Sequence, residues 1–418
     1  MMLAGTQMYF SAPFGNNVSV AGANLTDPWA GAGGNPLARL ATLQGVGVYD
    51  HNIPFPLNGT YINTKMKDFQ PVYMNQWNLS IQRQIGQDWL LTANYLGNNT
   101  IHMITTENIN PAIYLGTGPC TLQTANGPVS YSTCSTVANQ QNRRVLSLLN
   151  PAQGQYYAGI GQIDDGATAS YEGLYLSVQK RVSHGLSAQA NYTWSHCISD
   201  VYSDNPTAAG VSVPNNRRQF RSNCLGIDRR QLFGMNLVAT TPKFSNAALR
   251  ILGSNWQVAP ILSIRSAQFF TVYAGTDRAL TTVQNQTPDL VNPNPYPSSQ
   301  TANNWINRSA FLAAAPGTYG NLGYNNMKGP GTFQLNLALS RNFAIGERQT
   351  IQLRAEAFNL PNHLNLFTPG AAPNAGQRGG NVSLTAPNFG QITNDISGNS
   401  GLTGGDYRVI QFALKFVF

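Results

Sequence analysis

The chain is poor in charge: Asp, Glu, Lys and Arg make up 10% of its 418 residues, against roughly 25% in an ordinary soluble domain. It has no apolar run near the roughly 18 residues a spanning helix requires. That excludes a helical membrane protein but not a strand-built one, whose alternate apolar residues vanish in any average. The first residues, MMLAGTQMYFSAPFGNN, have neither the basic start nor the apolar stretch of a secretory signal, so for an exported chain a leader is expected upstream. Missing too are a G-x-S-x-G elbow, a Walker A loop and an H-E-x-x-H helix. His51, His102, His184, His196 and His363 are scattered among expected loops and turns. No enzyme, cofactor or metal site is therefore expected, and adjacent Asp164 and Asp165 read as a solvated loop pair in preference to a cation site.

Cysteine is scarce, with four residues in two near pairs, Cys120 with Cys134 and Cys197 with Cys224. Four cysteines allow three connectivities and sequence does not choose among them. Local disulfides inside long loops are the preferred expectation and imply an oxidising compartment; four free thiols in a reducing one are the alternative. The net charge of +8 is spread out, its densest group being Arg217, Arg218, Arg221, Arg229 and Arg230. No recognition motif accompanies these residues, so nucleic acid is not expected as a partner. A solvated loop running into a strand end is the plainer reading, with anionic lipopolysaccharide as a further partner that such charge would suit.

What is present is alternation. From Gln76 to Ile85, Trp77, Leu79, Ile81 and Ile85 share one parity against Gln76, Asn78, Ser80, Gln82 and Gln84, the pattern of a strand with one greasy face. Trp89 to Gly97 repeats it after a short turn, giving a hairpin. The unit returns at 171–182 with 186–195, at 229–241 with 256–265, and at 332–343 with 349–359. A ninth strand runs from Tyr407 to Phe418, with Ile410, Phe412, Leu414, Phe416 and Phe418 on one parity. Short links follow Ile85, Val182 and Phe343 and a moderate one follows Thr241, while long links cover about 98–170, 196–228, 273–331 and 360–405.

Short turns alternating with long loops are the signature of a transmembrane barrel with periplasmic turns and extracellular loops. The expected fold is thus all-β, an antiparallel transmembrane β-barrel with long extracellular loops, against the alternative of a soluble sandwich. Counting strand directions places the C-terminus in the periplasm. Trp77, Tyr95, Tyr192 and Trp194 then fall at outer strand ends and Trp89, Trp256, Phe343 and Phe418 at inner ends, as two aromatic girdles. Arg83 and Arg341 break the apolar parity near periplasmic turns, where a long side chain reaches the headgroups. Residues 1–74 read as an outer loop region with one strand at most, and 75–418 as the C-terminal barrel segment. An odd strand count implies that further strands complete the barrel.

Four stretches carry a family resemblance: Pro71 to Met103, with W-N-L-S-x-Q-R at Trp77; Tyr171 to Asp200, with L-x-x-x-K-R-x-S-x-G-L from Leu176; Gly320 to His363, ending in R-x-E-x-F-N-x-x-N-H from Arg354; and Phe389 to Asn394 with the final strand. Over most of residues 70–418 the chain resembles the C-terminal barrel of Oar-like TonB-dependent outer-membrane receptors of the acidobacterial type. The resemblance implies a cell outer membrane location, a regulatory β-sandwich and a plug upstream, and a barrel of about twenty-two strands. It further implies uptake of an unidentified ligand, with TonB reached only through upstream segments. A surface structural or adhesion barrel without transport is the alternative. The resemblance also makes Ile410, Phe412, Leu414, Phe416 and Phe418 the C-terminal signal read by the outer-membrane barrel assembly machinery. Outer-membrane lipid and lipopolysaccharide are the remaining expected partners. Gln82, Asn94, Gln179, Arg181, Gln189, Asn191, Arg265, Asn336, Arg354 and Glu356 fall on the polar parity and are expected to face the lumen, holding a plug or lining a path. Tyr156, Tyr157, Trp305 and Tyr324 are expected as exposed loop aromatics for ligand contact.

Overall fold

A computed structural model describes residues 26, 27, 29, 34, 57–65, 70–201, 213–224, 226–283, 285–345, 349–370, 381–397, 402 and 406–418. Most of the 1–74 region, with His51, lies outside the described residues. Nine strands run in chain order as a meander: β1 (Tyr73–Ile85), β2 (Trp89–Asn108), β3 (Tyr157–Ser183), β4 (Leu186–Ser199), β5 (Gln231–Thr240), β6 (Trp256–Arg265), β7 (Thr332–Ala344), β8 (Thr350–Phe358) and β9 (Val409–Val417). Each pairs antiparallel with the next. Two short strands bring the sheet to 11: Gly59–Lys65 lies parallel to the start of β3, and Ser222–Asn223 pairs with the end of β4. β1 and β9 do not pair with each other, so the described sheet is an open, partial barrel.

The registers carry the period-two pattern across the whole wall. Ile81, Ala93, Leu176, Tyr192, Phe233, Ile264 and Phe333 form one continuous row over seven strands. One residue along, Gln82, Thr92, Ser177, Asn191, Gly234, Ser263 and Gln334 form a polar row on the other face. Among the described residues the apolar face is largely uncovered: Leu79 and Ile81 are each 62% exposed, Leu414 70% and Phe412 82%. A soluble protein does not leave so large an apolar surface bare; hydrocarbon is the solvent that suits it.

Strand ends depart from the pattern in an informative way. β2 has 20 residues and β3 has 27, where a tilted crossing of the bilayer needs about 9 to 11. The ladder continues through Asn98, Asn99 and Thr100, opposite Tyr171, Ser170 and Ala169, well into what sequence assigned to the 98–170 loop. Above the bilayer no hydrocarbon selects one parity, and residues of both parities, such as Asp164 and Asp165, are buried, so alternation stops while backbone pairing goes on. The link after Thr241 contains a short helix, α1 (Ala247–Gly253), whose start is capped by Asn246 Oδ1 accepting from Ala248 N at 2.9 Å.

The buried core lies outside the wall. Phe270, Val272, Ile306, Leu322, Met327 and Val382 form one apolar cluster, and Val213, Phe220 and Tyr324 a second. All belong to the long connections, which pack together at the strand ends opposite the short turns. Strand Phe269–Tyr273 is the spine of this head, antiparallel to Met327–Lys328 and parallel to Asn381–Ser383. Each large apolar side chain so buried contributes about 1.5 to 3 kcal/mol.

Candidate functional site

The polar face and the head are the two places where this architecture can meet a ligand. On the polar face the expected residues fall into groups. Gln82 and Asn191 share the row already traced. Gln179, Gln189, Asn236, Ile261 and Asn336 make a second row, with Ile261 the apolar interruption. Asn94 pairs in register with Ser80 and Tyr175, and Arg265 with Leu232 and Thr332. Arg181 stands by the β1–β2 turn, its backbone N–H donating to Asp88 O at 2.8 Å. Arg354 and Glu356 form an ion pair along β8, and Glu356 also accepts from Gln411 on β9. That acid is engaged by its own wall. Of the remaining amides on this face, Gln82 is exposed, Asn336 Oδ1 accepts from Asn359 N at 2.9 Å, and Asn94 Oδ1 is buried.

Near the periplasmic turns, three cations on the apolar parity find local partners or water. Arg341 lies over the rings of Trp256 (5.2 Å) and Phe343 (4.6 Å) and donates to the Ile251 carbonyl in α1. Lys180, unremarked in the sequence, donates to Ser183 Oγ and stands 5.8 Å over the Trp89 ring. Arg83 is exposed.

At the outer ends the arginine cluster is not a solvated loop. Asp164, Asp200 and Asp228 are each no more than 3% exposed. Arg217 pairs with Asp164, Arg221 with Asp200 at 2.9 Å, and Arg230 with Asp228 at 3.2 Å. Asp200 also accepts from Thr168 N (3.1 Å) and Oγ1 (2.8 Å) on β3. The segment 213–230 is thereby fastened to β3 and β4 by buried charge. Burial pushes the Asp228 carboxyl up, against the pull of the Cys197 N–H and Arg230. Asp165 accepts from Gln70 N at 2.5 Å and faces His102 at 3.7 Å. The two adjacent acids are thus pairing groups. Among the described residues, no cluster of His, Cys, Asp or Glu has a metal-holding arrangement.

Covalent ties add to these: Cys120 is bonded to Cys134 and Cys197 to Cys224, with no free cysteine. Closing loops of 14 and 27 residues corresponds to about 3 to 4 kcal/mol each in the chain-entropy picture. Buried arginines do similar work elsewhere in the head. Arg143, fully buried, donates to Asn139 Oδ1 (3.0 Å), Thr136 O (2.9 Å), Leu280 O (3.1 Å) and Ile113 O. Arg144 donates to Asn110 O at 2.8 Å, and burial lowers its pKa to about 10. Both arginines join the 109–156 connection to the 274–290 segment. There a cavity of about 550 Å3 is lined by Gln140, Arg144, Tyr273, Asp277 and Gln286.

Two of the expected contact aromatics are construction material. Tyr324 is 1% exposed, stacks edge-on against Phe220 at 4.9 Å and donates to Asn285 O at 2.7 Å. Trp305 packs half-buried on the larger cluster and donates to Lys328 O at 2.9 Å. Tyr157 is half-buried against Tyr61 at 5.6 Å, and Tyr156 is also half-buried. A clasp unforeseen in the sequence closes the outer ends of β7 and β8. Asn359, at φ 48°, donates from its backbone to Asn336 Oδ1 (2.9 Å), and Asn365 Nδ2 donates to Asp406 Oδ2 (2.6 Å). Its signal was the asparagine pair of the F-N-x-x-N-H segment, since asparagine tolerates the left-handed conformation such a turn needs.

The family model for an outer membrane beta barrel domain matches residues 2–411. No curated protein matches the chain. Among solved structures the chain is similar to the outer membrane transporter YddB from Escherichia coli, at 10% identity and a TM-score of 0.41, covering 86% of this chain and 34% of that one. It is also similar to the copper transporter OprC, at 8% identity and a TM-score of 0.34, covering 84% and 31%. The chain spans about a third of the length of these two solved chains.

Proposed function

The chain belongs to the outer membrane beta barrel domain family and lies in the outer membrane of a Gram-negative bacterium, and from that premise we propose that it forms wall and outer head of a TonB-dependent receptor of the Oar-like kind. Its role is binding and uptake of a large ligand, not catalysis, and it needs no cofactor. The observation that carries this reading is the head itself. Long loops with apolar cores, buried ion pairs and two disulfides stand over one end of a polar inner face. A fixed outer surface suits capture of a bulky ligand, and the amide rows below suit hydrogen bonds to a plug. TonB is reached through segments upstream of this chain. The apolar parity of β9, from Ile410 to Phe416, together with the terminal Phe418, is what the barrel assembly machinery reads. Surface display without transport is the second reading, favoured by the covalent ties within the head.

The test is capture of the intact gene product by the periplasmic domain of TonB. Detergent-solubilised outer membranes supply the protein, and heat-modifiable gel mobility confirms that it is folded. Capture that disappears when the segment preceding the plug is deleted supports uptake. A folded protein that TonB never retains leaves the display reading in its place.

A further inference from the structure

On the apolar face, just beyond the level of Trp77, Tyr95 and Trp194, a cavity of about 770 Å3 opens under the overhanging head. Its wall is Trp194, His196 and Ile198 of β4, with Gln231, the register partner of Trp194. Among the described residues that line it are three cations, Arg221, Arg230 and Lys328, and no carboxylate. The arginines are held in place from behind. Arg221 uses Nη1 on Asp200 and Thr168, and Arg230 uses Nε on Asp228 and Nη2 on Asn223. A guanidinium has five N–H donors, so each keeps donors for a ligand. Lys328 is exposed and makes no ion pair among the described residues. Glu172 shares this face as the register partner of His196, but it reaches the other way, to Tyr95 on β2.

Depth and neighbourhood identify the occupant. Tryptophan and tyrosine mark the headgroup level of a bilayer, and the β4 residues that line the cavity, Trp194, His196 and Ile198, share the apolar parity of Tyr192. One row further into the bilayer, Tyr192 and Phe233 border an apolar depression of about 440 Å3, shared with Ile81, Leu91, Ala93 and Leu176. Forked cations above a greasy groove match a phosphate above acyl chains. We propose that this cavity binds the phosphate-bearing headgroup of an anionic lipid of the outer leaflet, whose acyl chains run down the groove beside Tyr192 and Phe233.

The full-length protein, purified and delipidated in nonionic detergent, is titrated with mixed micelles of diphosphorylated lipid A, with micelles of its dephosphorylated counterpart, and with inorganic phosphate. Bound lipid is read by native mass spectrometry. The phosphorylated lipid should bind about tenfold more tightly than the dephosphorylated one, and Lys328→Glu should remove most of that difference. Lys328 supports no buried pair, so the variant should fold, as heat-modifiable mobility checks. Arg230→Lys, which keeps the charge beside Asp228 but loses the fork, should give an intermediate loss. Equal binding of both lipids, or indifference to Lys328→Glu, overturns the proposal. Competition by millimolar inorganic phosphate would instead make the cavity a site for a soluble anion and overturns it equally.

Discussion

Tyr95 donates its hydroxyl to Glu172 Oε2 at 2.5 Å across β2 and β3, placing a carboxylate in the outer aromatic ring of the apolar face. The arrangement depends on a residue between them. A Cβ added to Gly97 would lie 2.2 Å from Trp77 Nε1 and 2.5 Å from Glu172 Oε2. Gly97 is the gap that lets the indole and the carboxylate lie against the sheet.

Gly97→Ala should therefore force Trp77 off the sheet and lower stability by about 1 to 3 kcal/mol, the usual cost of overpacking. Urea unfolding in detergent, followed by Trp fluorescence, checks it. Glu172→Gln, which keeps an acceptor for Tyr95, should lose clearly less.

Neighbouring residues on β1 separate the two faces. Ile81→Arg puts a charge toward hydrocarbon and should cost about 2 to 4 kcal/mol, whereas Gln82→Arg, one residue along and facing the interior, should be nearly neutral. Equal losses in a reversible folding titration into lipid vesicles would contradict the assignment of faces.

Asp200 is 1% exposed and gathers Thr168, Arg221 and Arg218. Asp200→Asn keeps its shape but leaves arginine charge uncompensated, for an expected loss of about 3 to 5 kcal/mol. Because the pair belongs to the head, the loss should show as protease cleavage within 196–228 while the membrane strands stay protected.

Tyr273 and Tyr319 are half-buried against the smaller apolar cluster of the head, and desolvation there pushes both phenols up to about 12. A raised folded-state value means that the folded head holds protons the unfolded chain has given up. The associated stability is complete below pH 10 and is lost as pH rises from 10 to 12. Tyrosinate absorbance should show a late, cooperative step in that window, coincident with loss of head structure. Tyr319→Phe should shrink the step and shift the transition upward.

The bilayer made most of the wall legible, because hydrocarbon on one side and water on the other impose alternation from Trp77 to Ile85, Arg83 near the turn excepted, and from Leu186 to Trp194. Where that constraint ends, so does the signal. Residues 98–108 and 157–170 are strands beyond the hydrocarbon, with Thr106, Ile160, Asp164, Asp165 and Ala167 buried without regard to parity, and they read as loop. The head was hidden for a related reason: Phe270, Ile306, Leu322 and Tyr324 come from separate, aperiodic segments, and only their packing makes a core of them. The same holds for Arg217, Arg221 and Arg230, whose acidic partners mostly lie far away in sequence. Parity carries across any distance; pairing between remote loops does not.

With its apolar clusters and both disulfides placed above the lipid, the head owes little of its shape to the membrane. Tilt or thinning of the bilayer shifts where the greasy belt of the wall rests. What the cell presents outward, a stiff platform riding on an adjustable mooring, keeps its contours while the lipid beneath it changes.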